Sequence, residues 1–235
     1  MQIITKNDSL RKITAQKNKI SDGKDVQKNT KNDIIYSGEK DEKTIIVGIG
    51  ASTGGPKALQ EVLAALPGTF AFPVVVVQHM PPGFTKSLAS RLDGLCELTV
   101  KEAEDGEKLS TGNIYIAPGD YHLKVIRRPG GSFIIALDKT AQVNGHRPSV
   151  DVMFESIYQA KPFGAVGVIM TGMGSDGVNG LRLIKKLPKS YIIAQDEATS
   201  TVFGMPGAAV KAGLADAVLP VNEISSHLLK VLGGV

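Results

Sequence analysis

Ser52, His79 and Asp176 are the residues of this 235-residue chain whose types and settings could do chemistry together. Ser52 stands in Gly50-Ala51-Ser52-Thr53-Gly54, His79 in Gln78-His79-Met80-Pro81-Pro82-Gly83, and Asp176 in Met173-Gly174-Ser175-Asp176-Gly177. Serine, histidine and aspartate are the parts of a nucleophile, its general base and the acid that orients the base. Each also has a plainer role. Ser52 and Asp176 could cap the helical patterns that follow them. His79 could be a structural histidine, with His122, His146 and His227 as competitors; His227, on a terminal amphipathic segment, is expected to be solvated. Chemistry is favoured because all three candidates close an apolar run, in a loop with glycine or proline, just before a helical pattern. In an open α/β sheet that is where working residues collect. The order Ser, His, Asp differs from the serine–acid–histidine order of α/β-hydrolases, so hydrolase chemistry is expected on another fold.

The turn Gly48-Ile49-Gly50-Ala51-Ser52-Thr53-Gly54-Gly55 admits a second reading, a phosphate cradle. Thr53 fills the third glycine position of a dinucleotide fingerprint, and His79 closes the next strand where a ribose-binding acid belongs. No Gly-Lys-Ser/Thr end is present for a P-loop, and no His-Glu-x-x-His or Cys/His cluster suggests a metal. No cofactor is expected. The glycines are expected to bend the turn sharply and to clear space above Ser52.

The elements that must position these residues follow from the apolar pattern. Strands are predicted at 44–49, 73–78, 98–101, 114–117, 165–170, 191–194 and 216–219. Helices are predicted at 56–65, 85–92, 150–160, 177–186, 206–212 and 223–231. Val74-Val75-Val76-Val77 and Val166-Gly167-Val168-Ile169 are continuous apolar runs, as in strands buried on both faces of a parallel sheet. Alternation of strands and helices predicts a doubly wound, mainly parallel α/β sheet with helices on both faces. Residues 121–138, with Pro129-Gly130-Gly131 between two β-branched runs, predict an attached antiparallel hairpin.

Composition bounds the rest. Residues 1–43 hold ten Lys and Arg against seven Asp and Glu, with no lasting periodicity, and read as a polar, disordered tail or linker. Residues 44–235 form the catalytic domain in this reading. They carry little net charge, which argues against nucleic-acid binding. No apolar run approaches the roughly 20 residues that cross a bilayer, and no signal peptide is recognisable. A single cysteine, Cys96, suits a reducing compartment and reads as a small hydrophobe. A cytoplasmic location follows. No heptad or apolar stripe fixes an oligomeric state.

Seven separated segments carry a family resemblance. They are Gly50–Gly55, Gln78–Thr85, Lys101–Gly106, Ile116–Asp120, His146–Asp151, Thr171–Gly177 and Val202–Pro206. Over 44–235 the chain strongly resembles the catalytic domain of the chemotaxis methylesterase family CheB. The resemblance implies Ser52 as nucleophile, His79 as general base and Asp176 as the group that orients it. It implies hydrolysis of γ-glutamyl methyl esters on the cytoplasmic helical region of methyl-accepting chemoreceptors, and deamidation of receptor glutamines. Backbone N–H groups near Thr53 and Met173 are the candidates for an oxyanion hole, because their loops border the site. Family members commonly carry a receiver domain of about 120 residues ahead of the catalytic part. Residues 1–43 have no strand–acid–strand pattern to make one. The chain therefore reads as a stand-alone catalytic form or a fragment, active without phosphorylation or controlled by a separate partner. Two other classes compete: a receptor-binding module with a vestigial triad, and a dinucleotide-binding oxidoreductase.

Overall fold

A computed structural model describes residues 43–233 of the chain. The expected tail lies outside the described residues apart from Lys43. Nine strands and six α-helices follow one another from there, with one short 3-10 turn. In chain order they are β1 (Ile45–Ala51), α1 (Gly55–Leu63), β2 (Val74–Gln78), α2 (Phe84–Asp93), β3 (Thr99–Glu102) and β4 (Asn113–Ile116). Then come β5 (His122–Arg127), β6 (Phe133–Asp138), α3 (Val150–Ala160), β7 (Gly164–Ile169) and α4 (Val178–Ile184). The last are β8 (Lys189–Gln195), α5 (Met205–Lys211), β9 (Ala217–Leu219) and α6 (Ile224–Val231).

Seven strands form one sheet in the order β3-β4-β2-β1-β7-β8-β9, every neighbouring pair parallel. The central strands are apolar on both faces because both faces are covered. Val75 and Val77 join the core beneath α3, α4 and α5, while Val74 and Val76 join the core beneath α1, α2 and α6. Such double burial is what a continuous apolar run requires. The predicted hairpin forms a two-stranded sheet of its own, β5 with β6. Leu123, Val125, Phe133 and Ile135 attach it to the same core as Phe154 and Ile157 of α3. Its link to the domain is packing on α3 together with backbone hydrogen bonds between β6 and residues 106–109 of the β3–β4 connection, with no strand ladder to the large sheet.

Helix α3 packs directly on the glycines of β1. A Cβ on Gly48 would meet Phe154 Cε1 at 2.8 Å and one on Gly50 would collide with Val150 Cγ1; on α4, one on Gly180 would meet Phe154 Cβ at 2.5 Å, so α3 packs as closely on that helix. Gly48 and Gly50, both within β1, therefore serve helix packing. The sequence reading did not assign them that task. Gly54 does the bending: it caps α1 at a φ of 81°, a conformation L side chains avoid. Because α3 is held this low, its N-terminus reaches the carboxyl ends of β1 and β7, where the candidate residues stand.

Candidate active site

β2, β1 and β7 are adjacent, and Ser52, His79 and Asp176 follow their carboxyl ends. The chain winds outward from β1 in both directions, through β2 on one side and β7 on the other. Open α/β sheets form their crevice at such a reversal.

Ser52 is the first residue past β1. Its N–H donates to Thr171 O at 3.0 Å, and its C=O accepts from Gly55 N at 2.8 Å and from Gln78 Nε2 at 2.9 Å. It does not cap α1: the cap position is Gly54, with no side-chain hydrogen bond. The plainer role for the serine is removed. His79 follows β2 and its N–H donates to Ala51 O at 3.0 Å, so His79 and Ser52 hang from adjoining strands.

The His79 ring is oriented from one side. Nε2 lies 2.8 Å from Asp176 Oδ2, with the two side chains 7% and 1% exposed. Nδ1 is buried and has no hydrogen-bond partner. With an ionised carboxylate at Nε2, the neutral ring carries its proton there and leaves the Nδ1 lone pair open. His146 stacks on the same ring, centroids 3.8 Å apart and planes within 12°. Burial first, then the neighbouring His79, holds the His146 imidazole below its usual range.

Asp176 is the most heavily bonded carboxylate of the site. Burial alone would raise its pKa, but His79, Val150 N–H, Asn144 and Ser149 together bring it down to about 2. Oδ1 accepts from Ser149 Oγ at 2.8 Å and Asn144 Nδ2 at 3.1 Å, and Oδ2 from Val150 N at 2.7 Å. Ser149 is the N-cap of α3 and Val150 its first residue. The anion thus sits on a helix N-terminus, where free N–H groups and the helix dipole favour negative charge. His122 supports that terminus from below: fully buried, it accepts from Ser149 N at Nδ1 and holds Ala141 O through Nε2. It is a structural histidine. His227 is half-buried and pairs with the Tyr191 hydroxyl at 3.0 Å, contrary to the expected solvation. Cys96 has its thiol pushed up to about 11, by burial first and then by Asp93, and is no nucleophile.

The third strand end brings the remaining candidates. Thr171 Oγ1 donates to Thr53 O at 2.9 Å, and a Cβ on Gly172 would sit 2.7 Å from Ser52 Cβ, so the 171–177 loop abuts the serine turn. Among the described residues the backbone N–H groups of Thr53 and Met173 donate to no protein acceptor. Met173 is 73% exposed and Phe84 64% exposed. An open cleft of about 410 Å³ is walled by Ser52, Thr53, Gln78, His79, Met80 and Phe84. Among the described residues no three metal-ligating side chains gather, and no helix is long and apolar enough to cross a membrane.

Sequence reasoning selected the three central residues but missed Gln78, Asn144 and Ser149 as their supports, and ranked His146 only as a competitor of His79. A signal existed for Ser149, which precedes an apolar helical pattern as an N-cap does. None existed for the others, each of which also has a partner far along the chain.

Comparison with known proteins points to one family. A family model described as CheB methylesterase matches residues 47–228. A protein-glutamate methylesterase/protein-glutamine glutaminase of Geobacillus kaustophilus is 50% identical over 188 residues, covering 80% of this chain and 54% of that protein. A Pseudomonas aeruginosa protein of the same description, numbered 2, is 49% identical over 185 residues, covering 79% and 52%. The chain spans about half the length of the curated relatives it matches. The crystal structure of the Thermotoga maritima CheB methylesterase catalytic domain aligns at a TM-score of 0.77 and 46% identity, covering 80% of this chain and 99% of that one.

Proposed function

The chain belongs to the CheB methylesterase family, and from that premise we propose that it is a serine hydrolase of γ-glutamyl methyl esters, with Ser52, His79 and Asp176 as its triad. The substrates are glutamyl esters on the cytoplasmic helical region of methyl-accepting chemoreceptors, and glutamine side chains there are deamidated at the same site. The protein works in the cytoplasm. The observation that carries this reading is the His79 ring, fixed by Asp176 at Nε2 and unpartnered at a buried Nδ1.

In this mechanism Ser52 Oγ attacks the ester carbonyl while His79 Nδ1 takes its proton. The imidazolium that forms is stabilised through Nε2 by the Asp176 carboxylate. Collapse of the tetrahedral intermediate breaks the bond to the alkoxy oxygen, and His79 Nδ1 returns its proton so that methanol leaves. Water then enters, gives a proton to Nδ1 and attacks the glutamyl–Ser52 ester. The second collapse frees the carboxylate and restores the serine hydroxyl. A glutamine substrate follows the same path with ammonia as leaving group. The Thr53 and Met173 N–H groups, both without a protein acceptor, are suited to the oxyanion, where one donor contributes about 10²–10³ in kcat. Ser52 Oγ makes no hydrogen bond to His79 before substrate binds, a looseness common in free enzymes.

The test is methanol release from methylated chemoreceptor by the wild type and by Ser52→Ala. The expected result is release by the wild type and none above the uncatalysed rate by the variant. Equal rates would remove the assignment.

A further inference from the structure

Gln78 is the last residue of β2, 2% exposed, and belongs to neither the triad nor the oxyanion hole. Its side-chain amide donates twice, to Ser52 O at 2.9 Å and to His79 O at 3.0 Å. One NH₂ group therefore ties the backbone of the nucleophile to the backbone of the base. The amide can face only this way, since turning it over would set Oε1 against two carbonyl oxygens. The other end of the amide has no partner: Oε1 is buried and accepts nothing. It lies against Gly55, at the start of α1, where any Cβ would collide with it. An apolar side chain of the same shape would spare the chain a stranded acceptor. A buried acceptor left unmet calls for a role that outweighs it.

We propose that Gln78 is a positioning residue for the reaction, holding the Ser52 and His79 backbones at one separation as the serine is acylated. The neighbouring contacts explain why a brace is needed on this side. Ser52 N–H is tied to Thr171 beyond β7, and Gly55 N–H closes the serine turn on the same carbonyl that Gln78 holds. His79 is tied to Asp176 only through its ring. Without Gln78 the loop after β2 is joined to the serine turn by the single bond from His79 N to Ala51 O. The proton must pass from Ser52 Oγ to Nδ1, and a misplacement near 1 Å can cost about 10²-fold.

The proposal rests on the triad reading, and two readouts separate them: methanol release from methylated receptor, and the rate at which a fluorophosphonate labels Ser52. Gln78→Met keeps the shape and removes both donors. Its kcat and its labelling rate are expected to fall about tenfold or more, with KM changed less than about twofold. Gly55→Ala, which presses on Oε1 from the far side, is expected to reproduce the loss. Ser225→Ala removes an equally buried hydroxyl that holds Val62 O at 2.5 Å, far from the site, and is expected to lower the unfolding midpoint with kcat unchanged. In the wild type, the Gln78 side-chain amide protons are expected to exchange slowly and to shift when Ser52 is phosphonylated. That reading stands even if Gln78→Met does not fold. Full kcat and labelling in a folded Gln78→Met protein, or amide protons that exchange as fast as an exposed glutamine's, would overturn the brace. A wild type that labels at Ser52 yet releases no methanol would instead remove the substrate reading, leaving the brace to be judged on labelling alone.

Discussion

A carboxylate with 2% exposure persists as an anion only where donors replace the water it lost. Asp176 has them, and its pKa of about 2 lies below the ordinary 3.8 although burial pushes the other way. A carboxyl depressed in the folded state stabilises the fold fully above about pH 4, and the contribution is lost as pH falls through about 2. The shift corresponds to about 2 kcal/mol. Urea midpoints of the wild type are expected to fall between pH 4 and pH 2 more steeply than those of Asp176→Asn; parallel profiles would deny the shift. The same variant is expected to lose about 10⁴ in kcat, because an amide cannot fix the His79 tautomer or stabilise the imidazolium. The three central residues were legible in sequence because each combines a reactive type with a strand-end setting. Asn144, bonded to Asp176 across 32 positions, was not: nothing local marks an asparagine that bridges two carboxylates, Asp151 and Asp176.

Among the elements, α3 does the most for the site, and it does so by proximity. Val150 gives its N–H to Asp176 and its side chain to the space above Gly50. Gly50→Ala is therefore expected to push the helix terminus off the carboxylate. The predicted cost is about 1–3 kcal/mol of stability, as for overpacking elsewhere, together with a fall in kcat. Gly130→Ala, in the hairpin turn with nothing within 4 Å, is the comparison: strained by its φ of 96° but expected to leave kcat unaltered. Thermal midpoints and methanol release measured on both variants check this, and equal activity losses would contradict it. The strands and helices themselves were readable to within a few residues, since double burial writes an unbroken apolar run into each central strand. The task of Gly48 and Gly50 was not readable. A glycine placed for the helix above it looks the same in sequence as a glycine placed for a ligand.

At the scale of the whole molecule, the strand order sets the chemistry. Bringing β2, β1 and β7 side by side gathers residues 27 and 124 positions from Ser52 into one crevice. Sequence supplied the parts of a hydrolase in an order unlike the α/β-hydrolases, and the sheet order explains how that sequence of parts can still converge. The hairpin illustrates the complementary limit. Its strands were evident from two β-branched runs around Pro129-Gly130-Gly131, but its attachment, packing on α3 and backbone hydrogen bonds to residues 106–109, joins parts of the chain that no local pattern connects. The proposed function reduces to one claim, that His79 Nδ1 activates Ser52. It is tested most directly by reacting the folded protein with a fluorophosphonate and mapping the adduct by peptide mass. The adduct is expected on Ser52, forming at least about 10²-fold more slowly in His79→Gln. An adduct on another residue, or equal labelling rates in the wild type and His79→Gln, would contradict it.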